Sequence, residues 1–126
     1  MLWNDSLATG VALIDEQHKE LFRAIDMLMD TSQKGRIPEV LKFLSDYVDK
    51  HFADEQKLHA SSGYPKAAVH RTYHENFVRT LRENVAKYNA NPNIPAILAI
   101  NTMASNWLTE HIMVHDMEFS RYYKSR

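Results

Sequence analysis

His51 and Glu55, and likewise His70 and His74, stand four residues apart, so on a helix each pair projects two metal-ligating side chains from one face. His18 and His111 interrupt apolar stripes of the same kind, and Asp116 follows His111 by five positions. Imidazoles and carboxylates turned toward a helical core lose the hydrogen bonds of water, at ~2–7 kcal/mol for each unsatisfied polar group and more for an isolated charge. A metal removes that cost. Imidazole and carboxylate ligands suit iron, zinc, manganese or nickel, and the donor set alone does not name one. Seven ligands exceed what one ion takes. Two ions bridged by Glu55 and Asp116, with the five imidazoles divided between them, would satisfy every group.

These side chains need helices to carry them. Turn-forming residues gather at Thr31–Arg36, at Ser61–Pro65 and at Asn89–Pro95, and cut the chain into four segments behind an N-terminal arm. Each segment is patterned at helical period. The first aligns Ile14, His18, Leu21, Ile25 and Leu28; the second aligns Ile37, Leu41, Leu44, Val48, His51, Glu55 and Leu58. The third aligns Ala67, His70, His74, Phe77, Leu81 and Tyr88; the fourth aligns Ile97, Ile100, Ala104, Trp107 or Leu108, and His111. Short loops between long helices imply antiparallel neighbours. The expected fold is all-α, an up-down-up-down antiparallel four-helix bundle forming one domain over residues 1–126. Its arm covers 1–13 and its helices about 14–33, 37–61, 66–89 and 95–123. Pro38 and Pro65 suit first-turn positions, Gly35 suits a stop after the first helix, and Trp3 is expected to pack the arm across the bundle.

Composition excludes several classes. At 126 residues and 44% hydrophobic content the chain can bury a core without staples. A formal charge of −1 gives no basic face for nucleic acid and favours no membrane partner. The absence of cysteine removes thiolate zinc sites, iron–sulfur clusters and thiol catalysis. The start, Met1 to Asp5, lacks a signal-peptide pattern, and no run reaches the ~18 apolar residues of a membrane span, so a cytoplasmic location is expected.

Taken in order, the arm ending Gly10–Val11, the run Ile14-Asp15-Glu16-Gln17-His18, the HxxxE at His51–Glu55, Tyr64–Pro65, the HxxxH at His70–His74 and the HxxxxD at His111–Asp116 resemble the hemerythrin family. The likeness is to the short single-domain bacteriohemerythrins and covers essentially the whole chain. It implies one iron held by His70, His74 and His111 and another by His18 and His51, bridged by Glu55, Asp116 and an oxo or hydroxo group. The second iron would keep an open position for dioxygen, in a closed apolar pocket lined by Leu21, Phe52, Trp107, Leu108 and Ile112. The implied role is reversible dioxygen binding for transport, storage or delivery, without enzymatic activity. The alternative is a sensor of oxygen, nitric oxide or redox state that signals through the iron oxidation state. A diiron oxidase is disfavoured, since the chain has no Glu-x-x-His pair of the ferritin-like kind. Dioxygen is the expected partner, and no protein partner is named by the residues.

The fourth segment sets a conflict. At ~100° per residue His111 and Asp116 lie ~140° apart, and periodicity alone selects His115 instead. The resemblance selects Asp116, which requires a bend or bulge near Ile112–Val114. The chain also carries Gln56 and His59 where the family often has a second Glu and a Met. His59, one turn from Glu55, is expected near the site or its access path, and His59 and His115 are both expected outside the ligand set.

Overall fold

Four long helices, Ala12–Met27 (α1), Ile37–Ser62 (α2), Ala67–Ala90 (α3) and Ile94–His111 (α4), carry most of the chain. The fourth continues through a π-helical turn, Ile112–Asp116, into a last helix, Met117–Ser125 (α5). The structure, a computed structural model, describes residues 3–126 apart from the side chains of Thr31, Gln33 and Lys34. Among the described residues there is no strand, and no helix is long and apolar enough to cross a membrane. α1 packs on α2 and α4, and α3 packs on the same two. Each helix therefore lies beside its chain neighbours, closing an antiparallel four-helix bundle.

Local chemistry sets the ends. Pro38 and Pro95 occupy the first turns of α2 and α4, where a missing N–H costs nothing. The Asn93 side chain caps α4 by accepting from the Ala96 N–H at 2.8 Å. α2 stops at Gly63, whose φ of 70° is left-handed, and the Tyr64 N–H reaches back to the His59 carbonyl at 3.0 Å. Gly35 plays no such part. α1 ends at Met27, short of residue 33, and Gly35 sits within a 3-10 segment, Thr31–Arg36, which the Asp30 carboxylate caps through the Ser32 N–H at 2.9 Å. Pro65 precedes α3 rather than entering its first turn.

The arm is fastened by one carboxylate. Asp15 accepts from the Thr9 N–H and hydroxyl, both at 2.8 Å, and from the Gly10 N–H at 3.1 Å. Lys124 on α5 donates to the Thr9 carbonyl at 2.9 Å, so the arm is tied to both ends of the bundle's helical course. Trp3 is half-buried against the main core, with the Lys19 ammonium 4.6 Å from its ring centre.

The core has two parts. The larger runs through Leu21, Ile25, Leu44, Val48, Phe77, Leu81, Ile100 and Leu108; the smaller joins Ile14, Tyr64 and Phe119. Along the helices six of the seven potential ligands fall between the two: His18 between Ile14 and Leu21, Glu55 between Phe52 and Leu58, His70 and His74 between Tyr64 and Phe77, and His111 and Asp116 between Leu108 and Phe119, while His51 lies between Val48 and Phe52 of the larger part. A polar layer is thus sealed by apolar residues on both sides.

Candidate metal centre

The π turn reconciles the fourth segment with the site. The Met117 N–H bonds the Ile112 carbonyl, five residues back, so one turn absorbs an extra residue. Asp116 then follows His111 onto the inner face, and both are buried. His115 is turned aside, half-buried against Tyr73 with ring centres 4.2 Å apart. It joins neither ligand group.

The seven buried side chains form two overlapping nests. Ligand atoms of Glu55, His70, His74, His111 and Asp116 lie within 4.8 Å of one another, as do those of His18, His51, Glu55 and Asp116. The two carboxylates belong to both, and their oxygens are divided. Oε1 of Glu55 lies 2.8 Å from His70 Nε2 and 3.6 Å from His74 Nε2, whereas Oε2 lies 3.4 Å from His51 Nε2. Oδ1 of Asp116 lies 3.0 Å from His70 Nε2 and 3.3 Å from His111 Nε2, whereas Oδ2 lies 3.0 Å from His18 Nε2.

The donor chemistry fits metal ions. His70 and His74 point Nε2 at the Nε2 of His111, at 2.9 and 3.1 Å, and neutral imidazoles cannot satisfy three converging nitrogens with one another's protons. All four carboxylate oxygens, His18 Nε2 and His51 Nε2 are buried without a hydrogen bond of good geometry, although they lie close to opposite partners. Close but misaligned donor atoms around common centres are the arrangement that a cation satisfies.

Electrostatics point the same way. Burial, reinforced by the neighbouring His18, pushes the His51 imidazole down to about 4. Burial, with His70 and His111 nearby, likewise lowers His74. At His70 burial opposes the charged form, but the facing Asp116 and Glu55 carboxylates raise it to about 9. Burial and Asp116 would raise Glu55, yet His59, His70 and His51 facing it bring it below its ordinary value. Asp116 is held well below its ordinary value against burial, chiefly by His111, with His18 and His70 adding. Ionised carboxylates beside neutral His51 and His74 are the protonation state that metal binding needs, and His70 gives up its proton when it ligates.

Residues behind the ligands fix the rings. His51 Nδ1 pairs with Gln17 Oε1 at 2.7 Å, Gln17 Nε2 donates to Asp54 at 2.8 Å, and Lys50 donates to Asp54 at 2.7 Å. Gln56 Nε2 lies 3.2 Å from His74 Nδ1. With His74 ligating through Nε2 its proton sits on Nδ1, so the amide oxygen must turn toward it. Sequence reasoning did not assign roles to Gln17, Asp54 or Gln56. Their one available signal was the placement of Gln17 beside His18 and of Asp54 and Gln56 around Glu55.

Of the expected pocket residues, Phe52 stacks on His74 at 3.8 Å and Trp107 on His111 at 4.3 Å. Leu21, Leu108 and Ile112 are buried in the same core, and Phe77, expected in the core but not among the pocket residues, stacks on Trp107 at 4.2 Å.

A histidine- and carboxylate-lined double nest inside a four-helix bundle marks a metal-binding bundle protein. Residues 9–123 match the family described as the hemerythrin HHE cation binding domain, and the chain belongs to the hemerythrin family. Membership implies non-haem iron and dioxygen binding. Bacteriohemerythrin of Stenotrophomonas maltophilia is 31% identical over 99% of this chain and 82% of its own length. Bacteriohemerythrin of Pseudomonas aeruginosa is 34% identical over 92% of this chain and 76% of its own. Myohemerythrin of Theromyzon tessulatum is 30% identical over 93% and 88%. The crystal structure of a leucine-to-phenylalanine mutant protein, 26% identical, superposes with a TM-score of 0.85 over 98% of this chain and 96% of its own.

Proposed function

We propose that the chain binds dioxygen reversibly at a pair of iron ions, and so transports, stores or delivers it. The observation that supports this reading is the division of the carboxylates, each offering one oxygen to each nest. In this reading His70, His74 and His111 would hold one iron, His18 and His51 would hold the other, and Glu55 and Asp116 would be shared by both together with an oxo or hydroxo group. The iron pair, when bound, supplies the electrons for reversible capture of dioxygen.

The protein's part is to keep the ligands in place and water out. Three imidazoles against two make the nests unequal, so the His18/His51 side, with fewer protein donors, would be the side left open to dioxygen. Leu21, Phe52, Trp107, Leu108 and Ile112 form the apolar surround, which presents no acid to the captured oxygen. Gln17 orients His51, and Gln56 orients His74.

A sensing role is the second reading, favoured by the π turn. That turn carries Asp116 inward while Met113 and Val114, 57% and 52% exposed, face solvent, so a change at the carboxylate reaches the surface over a few residues. Optical spectra of the anaerobically reduced, iron-loaded protein before oxygen, with oxygen and after its removal separate the readings. A visible charge-transfer band that appears and then vanishes is expected for a carrier. Rapid one-way conversion to a ferric spectrum would favour sensing, and no iron-dependent band would reject both.

A further inference from the structure

His59 is a buried imidazole that the proposed ligand set leaves unused. It is 1% exposed, and neither ring nitrogen has a hydrogen-bond partner of good geometry. Its Nε2 lies 3.5 Å from Oε1 of Glu55, the oxygen that faces the three-imidazole nest. The ring is wedged against Phe119 at 4.3 Å, His70 at 4.5 Å and Tyr64 at 5.2 Å. Its backbone is fixed as well, because the His59 carbonyl takes the Tyr64 N–H where α2 ends.

A ligand role does not fit this placement. The His59 nitrogens stand outside the group whose atoms lie within 4.8 Å of one another, and that group already offers five donors before any bridging oxygen is counted. A donor role does fit. An imidazole carries at least one N–H. With the proton on Nε2 the ring donates toward Glu55. With the proton on Nδ1 it would aim a lone pair at a carboxylate oxygen and leave the N–H without a partner.

We propose that His59 is a positioning residue whose Nε2–H donates to Oε1 of Glu55, fixing which oxygen serves the His70/His74/His111 nest and drawing charge from it. The inference rests on the diiron reading. A carboxylate that gives up charge to a donor gives less to a metal, so His59 favours the ferrous over the ferric state.

Two measurements test it. In the metal-free, 15N-labelled protein, long-range nitrogen–proton correlation is expected to show a slowly exchanging Nε2–H tautomer at His59; an Nδ1–H tautomer would overturn the proposal. In the iron-loaded protein, His59→Met and His59→Gln are compared with the parent for iron content, midpoint potential and the infrared stretch of 13C-labelled glutamate. His59→Met is expected to keep both irons, shift the carboxylate stretch and favour the ferric state about tenfold, or about 59 mV for one electron. His59→Gln, which can still donate, should restore much of both signals. An unchanged stretch and potential in His59→Met, or the loss of one iron, would overturn the donor role. Failure of the parent protein to load two irons would instead count against the diiron reading, and the metal-free tautomer still judges His59 by itself.

Discussion

The two nests are held in different ways. Around His70, His74 and His111 the rings crowd one another: Nε2 atoms converge at 2.9 and 3.1 Å, and Phe52 and Trp107 stack flat on His74 and His111. His18 and His51 meet edge to face at 4.7 Å, and the His51 ring is held from behind by a chain of polar side chains reaching the surface at Lys50. Crowding fixes the first nest, and hydrogen bonding fixes His51 in the second. The difference teaches that a site can be rigid on one side and sparse on the other without a cavity left unsupported, because the sparse side's order comes from outside the ligand shell.

The sharpest way to break the comparison is to remove what the nests share. Glu55→Ala or Asp116→Ala should take iron from about two per chain to near none, read by elemental analysis, with the helical circular dichroism retained. A variant that keeps both irons would show that the carboxylates are not common to the two sites.

The next test separates the two kinds of support. Gln17→Leu cuts the buried bond to His51 and should weaken iron binding ~10–100-fold, whereas Gln56→Leu, on the stacked side, should stay near or below the ~10-fold end. Competition with a chelator measures both. Equal losses would mean that stacking contributes no independent order.

A smaller effect concerns the metal-free protein. Between pH 6.5 and about 4 the unfolded chain takes a proton that the folded His51 refuses, so stability falls as pH falls through that window. Above pH 6.5 the folded His70 keeps, up to about 9, a proton that the unfolded chain has lost, so stability falls as pH rises. The resulting maximum near pH 6.5 should appear in denaturant midpoints measured across pH and should flatten once metal is bound.

The smallest expected effect is at His115. His115→Ala should leave iron content unchanged and cost about 1 kcal/mol through its lost packing on Tyr73, measured by thermal or denaturant unfolding.

Much of this arrangement could be read from the residues, for physical reasons that differ by element. In α2 the run Leu41, Leu44, Val48, His51, Glu55 shares one stripe, so periodicity alone turned the ligands inward. In the fourth segment periodicity pointed to His115, and only the likeness to hemerythrins required the distortion that the π turn supplies. The end of α1 was misjudged because Gly35 looks like a helix stop, while the Asp30 cap that begins the 3-10 segment is a common surface residue with no periodic signature. Gln17, Asp54 and Gln56 were silent for a similar reason. A glutamine beside a ligand is indistinguishable in sequence from a solvated one until the fold shows what it faces.

The π turn can also be viewed as a matter of chain length. It is one surplus residue accommodated between two helical runs that keep their own phases. A chain lacking one residue here, at solvent-facing Met113 or Val114, would place a histidine and an aspartate four apart, the spacing at which an ordinary α-helix aligns them unaided. The same metal nest is therefore reachable by two lengths of helix, one needing a bulge and one needing none. The surplus residue, and not the aspartate, is what this chain's fourth helix has to explain.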